Sequence, residues 1–77
     1  QARQCLKNLD TNMRSSGTTI QKAYAFITYL TDMANIGLVL EVFKEFGFSP
    51  DQVQMNFEKV DALNEYHPIE IACNALL

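Results

Sequence analysis

The chain has 77 residues, a formal net charge of −3 and 48% apolar residues. That is one small domain with a thin core, too apolar for disorder at this charge, and with no apolar run of membrane-spanning length. Arg3, Lys7, Arg14 and Lys22 against Asp10 give the first 30 residues a balance of +3, while the remainder carries −6, which disfavours nucleic-acid backbones as partners.

Taken in order, the residues predict five short helices. Ala2, Cys5, Leu6, Leu9 and Met13 recur with helical spacing and mark the first helix over 2–13. Ser15-Ser16-Gly17 ends it. Thr18 with Gln21 reads as a capping box for a second helix to about residue 34, striped by Ile20, Ala23, Tyr24, Ile27 and Leu30. Asn35-Ile36-Gly37 reads as a break, after which Ile36, Val39, Leu40 and Phe43 restart the pattern.

The densest local grammar is Phe46-Gly47-Phe48-Ser49-Pro50. Gly47 stands where a helix needs a left-handed residue after its C-cap, and Phe48 where a Schellman ending closes back on Phe43. Ser49, Pro50 and Gln52 read as the N-cap, first position and third position of a fourth helix over 50–63. Residues 64–67 are a connection. Pro68 then opens a fifth helix through Ile69, Ala72, Cys73 and Leu76. The expectation is an all-α domain, a compact bundle of five helices with an N-terminal helical pair (1–34) and a three-helix unit (35–77).

No reaction can be read from these residues, so the expectation is a non-catalytic protein-interaction module without cofactor. His67, the sole histidine, precedes a proline in a polar loop with no orienting partner for general-base work. Cys5 and Cys73 lack metal-ligand spacing and sit on apolar faces, which suggests free thiols in a reducing compartment; a disulfide is the rival reading. The expected location is intracellular, in the cytoplasm. The first residue is Gln rather than Met, read as the mark of an excised domain.

The second half resembles a ubiquitin-associated domain. Phe46-Gly47-Phe48 is similar to that family's Met-Gly-Phe loop, and Ile69-Glu70-Ile71-Ala72-Cys73-Asn74-Ala75-Leu76-Leu77 to its last helix. The resemblance implies a three-helix fold and a ubiquitin-binding patch made by Phe46, Gly47, Phe48, Leu76 and Leu77. The alternative is a helical scaffold or dimerisation domain that docks another subunit without ubiquitin.

Overall fold

In the computed structural model, which describes residues 1–63 and 68–76, the chain is a three-stranded sheet with both helices on one face. The elements are α1 (Ala2–Ser15), β1 (Ala23–Leu30), α2 (Ile36–Glu45), β2 (Gln54–Lys59) and β3 (Ile69–Ala75), with 3₁₀ turns at Ile20–Lys22 and Met33–Asn35. The strand order is β2-β1-β3: β1 pairs parallel with β2 and antiparallel with β3. The parallel pair needs a crossover, and α2 is that crossover.

This overturns the all-α expectation. Helices one and three are where the sequence puts them, but the second, fourth and fifth are strands or lead into strands. β1 reads Ala-Tyr-Ala-Phe-Ile-Thr-Tyr-Leu, apolar almost throughout, so its apolar residues fit helical spacing as well as strand spacing. Its aromatic and β-branched content favours the pleated form. The segment expected as a fourth helix makes one turn, in which Gln52 and Val53 N–H groups donate to the Ser49 carbonyl (both 3.1 Å). It then runs out as β2, with Met55 and Phe57 half-buried and Gln54, Asn56 and Glu58 exposed. β3 alternates likewise, Ile69 and Ile71 buried and Glu70 and Ala72 exposed.

The corner after α2 is built as the sequence requires. Gly47 has φ +89°, its N–H donates to the Lys44 carbonyl (3.0 Å), and the Phe48 N–H donates to the Phe43 carbonyl (2.9 Å). α1 ends the same way, with Gly17 at φ +88° and the Thr18 N–H on the Met13 carbonyl (3.0 Å). The expected capping box at Thr18 is not formed. The Thr18 hydroxyl donates to the Leu76 carbonyl (2.7 Å), and Asp10 on α1 accepts from the Ile20 N–H (3.0 Å), holding the chain as it turns into β1.

The core lies between the helices and the sheet. Leu6 and Met13 from α1, Val39 and Phe43 from α2, and Phe26, Leu30, Ile69 and Ile71 from the sheet form it, closed by Phe48. Phe26 is its centre, 4.7 Å from Phe43 and 5.0 Å from Phe48 between ring centroids, both tilted arrangements of the favourable kind.

Candidate functional site

The residues expected to form a partner patch have different fates. Phe48 is 7% exposed and belongs to the core; Phe46 is half-buried against it; Gly47 is exposed and shaped by the turn. Leu76 is 66% exposed just beyond β3, its N–H donating to the Lys22 carbonyl (3.2 Å). Leu77 and His67 lie outside the described residues. β3 runs antiparallel to β1, and α2 returns along the sheet, so Leu76 and the Phe46–Phe48 corner share one end of the fold. Among the described residues, no hydrogen bond joins them.

The two thiols are separated. Cys5 donates to the Ile69 carbonyl (3.4 Å) near the start of β3, while Cys73 sits beside the Met13 sulfur (3.6 Å) a further two helical turns along α1. Both are free and half-buried. Burial raises the Cys73 thiol pKa; burial is also the main cause at Cys5, where the chain's amino terminus opposes and Glu70 adds to it. Neither is therefore an activated nucleophile at neutral pH. Among the described residues no cluster of histidine, cysteine and acid side chains has metal-binding geometry, and no helix is long and apolar enough to cross a membrane.

What the register brings together is the sheet face opposite the helices. Three rows cross it from β2 through β1 to β3: Gln54, Ala25 and Asn74; then Asn56, Ile27 and Ala72; then Glu58, Tyr29 and Glu70. The outer columns are exposed, and Ile27 and Tyr29 are half-buried with no layer above them. Side chains alternate across a strand, so these are the residues whose neighbours Phe26, Thr28 and Leu30 fill the core. The sequence holds the signal for this face, the alternation Val53-Gln54-Met55-Asn56-Phe57-Glu58, but its three rows exist only once register is fixed.

Two hollows flank the helices. One, of about 620 Å³, lies between α1 and the outer edge of β3. The other, of about 430 Å³, lies between α1 and α2, where Arg3 makes a forked ion pair with Glu45 (2.8 and 2.9 Å). That pair is exposed on both sides and contributes about 0–1 kcal/mol.

No family model and no curated protein matches the sequence. The fold, however, is that of several solved proteins. RidA from the Antarctic bacterium Psychrobacter superposes with a TM-score of 0.83 at 25% identity, over 95% of this chain and 58% of that one. The Mycobacterium tuberculosis protein Rv2704, of the YjgF/YER057c/UK114 family, gives 0.83 at 25% identity over 100% and 65%. E. coli TdcF with bound serine gives 0.86 at 21% identity over 100% and 62%. The chain thus spans about three fifths of the length of these structures. A mixed α/β fold of this kind replaces the ubiquitin-associated resemblance. Ubiquitin binding, which rested on that resemblance, falls with it: the last "helix", which was to carry two of the five patch residues, is β3.

Proposed function

We propose that two copies of this chain meet through their uncovered sheet faces. The observation that carries the reading is the self-complementarity of the three rows. A two-fold axis along the middle row lays Ile27 on Ile27 of the second copy. It sets the Glu58-Tyr29-Glu70 row of each copy over the Gln54-Ala25-Asn74 row of the other. Carboxylates then meet amides that donate to them, and the large Tyr29 meets the small Ala25. An apolar centre with a polar surround is the ordinary anatomy of an interface.

The face is small. Three strands about 4.8 Å apart and six residues long give a footprint of about 300 Å², against about 800 Å² per partner in a standard stable complex. The association is accordingly weak and concentration-dependent.

Sedimentation or light scattering over a micromolar-to-millimolar series tests this. A rise toward twice the monomer mass is expected, abolished by Ile27→Asp. Gln54→Glu sets two carboxylates against each other and weakens association; adding Glu58→Gln exchanges the pair and restores it. A chain that stays monomeric at millimolar concentration overturns the proposal. So does a double variant no better than Gln54→Glu alone, which would show that the rows do not face each other.

A further inference from the structure

The 430 Å³ hollow on the helix side is a different surface from the uncovered sheet face. Its walls are the start of α1 and one flank of α2, and Pro68 and Ile69 at the start of β3 complete the lining. On α2 the lining includes Asn35, Leu38, Val42 and Glu45, at steps of three and four, so they form one row along the helix. Ala2 and Ile69 are buried and Val42 is half-buried, which makes the hollow apolar at depth. Leu38, in the same row, is 65% exposed.

Charge surrounds this apolar base. The side chains that carry it are Arg3, Glu41 and Glu45. Arg3 is held by Glu45 in the forked pair. Glu41 lies one turn before Glu45, exposed, and among the described residues no ion pair reaches it. Like charges four residues apart on a helix repel. A cation brought to Glu41 therefore relieves that repulsion and adds an attraction of its own. An arginine with its stem along Leu38 and its head at Glu41 matches the exposed leucine and the unpaired carboxylate together. The planar guanidinium suits a carboxylate better than an ammonium does, as the Arg3–Glu45 fork already shows.

The walls also select the backbone form of what binds. Two of them are helix flanks, which carry side chains and no strand edge. At the start of β3 the Pro68 carbonyl takes the Thr31 N–H (3.2 Å) and the Ile69 carbonyl takes the Cys5 thiol (3.4 Å). An extended segment would find no ladder here and would leave its own groups unpaired, whereas a helix pairs them internally. Rows of side chains at steps of three and four are also the ridges between which another helix packs its own. α2 has ten residues, about 15 Å at 1.5 Å per residue, which is nearly three turns.

We propose that this hollow docks a helix of a partner protein, about three turns long, with an aliphatic row that covers Leu38 and Val42 and an adjacent row of arginines that meets Glu41. The −6 balance of residues 31–77 favours the approach of such a basic helix.

The test is a titration of the isotope-labelled chain with the acetylated, amidated peptide Leu-Ala-Ala-Arg-Leu-Ala-Ala-Arg-Leu-Ala-Ala-Arg, which sets a leucine row beside an arginine row. Amide shifts are expected to cluster at Arg3, Leu38, Glu41 and Val42, with a rise in the helical circular dichroism of the peptide. Leu38→Asp weakens binding by about tenfold or more. Glu41→Arg weakens it by about tenfold, and binding to that variant returns when glutamate replaces arginine in the peptide. Both side chains are exposed, so neither change disturbs folding. Shifts confined to the strands overturn the proposal, as does undiminished binding to Leu38→Asp. A charge exchange that fails to restore binding overturns it too, because the attraction is then to the acidic chain at large. The hollow lies on the helix side of the sheet, so Ile27→Asp leaves it untouched and either proposal can fail alone.

Discussion

β1 has two faces of one strand with opposite fates. Phe26, Thr28 and Leu30 are each 1% exposed or less and meet both helices; Ile27 and Tyr29, one residue out of phase, are half-buried under nothing. The chemistry of the two sets is similar, an aromatic and a branched side chain on each. What separates them is the crossover: a parallel β1–β2 pair forces a helix onto one side of the sheet, and α1 joins it there. The same apolar content is core on one side and uncovered on the other. Average hydrophobicity of the strand cannot tell them apart.

The largest expected effect is on the covered face. Phe26→Ala removes the ring that touches both Phe43 and Phe48 and should cost about 3–5 kcal/mol in chemical denaturation. A domain this small has little more than that to lose. Ile27→Ala, next in sequence, should cost less, about 1–2 kcal/mol, because that side chain is already partly wet in the monomer. Equal costs would break the comparison and show that something covers the second face in solution. Thr28→Val is the next step down. The Thr28 hydroxyl is buried with no hydrogen-bond partner among the described residues, in a row between Phe57 and Ile71. Replacing it with a methyl of the same shape removes an unmet polar group and should stabilise by about 1 kcal/mol. A loss of stability would show that the hydroxyl has a partner after all.

The two helices could be read in the sequence, as could the helix end at Ser15-Ser16-Gly17 and the left-handed Gly47 with Phe48 closing back on Phe43. Such signals are local: they involve residues within six positions, and the physics of a left-handed C′ residue does not depend on the rest of the fold. The strands could not be read that way. Ile69, Ala72, Cys73 and Leu76 satisfy helical spacing, while Ile69, Ile71, Cys73 and Ala75 satisfy strand spacing, and alanine is at home in either. At Ser49-Pro50-Asp51-Gln52 the start signal was real but lasted one turn, and the strict alternation after it was the better guide to β2. The uncovered face lies further from the sequence still, because Glu58, Tyr29 and Glu70 become neighbours only through two strand registers.

The smallest effect expected concerns the thiol on the covered face. Cys73 pairs across from Phe26 with its sulfur turned toward Met13, and burial holds its pKa above the ordinary thiol value. A group raised on folding stabilises the native state fully below its unfolded pKa, about 8.5 for a thiol. That contribution is lost as pH rises through the folded value, so alkali and not acid should loosen the α1–β3 contact here. The same shift starves the reactive form. Alkylation of Cys73 by iodoacetamide between pH 7 and 9 should run slower in the folded chain than in urea, with its midpoint moved to higher pH. Cys5 should be slowed as well, but its opposing amino-terminal charge makes the displacement sensitive to what precedes residue 1. A Cys73 that reacts at the unfolded rate at pH 8 would mean that β3 is not held against α1, and that the covered face is less covered than its geometry requires.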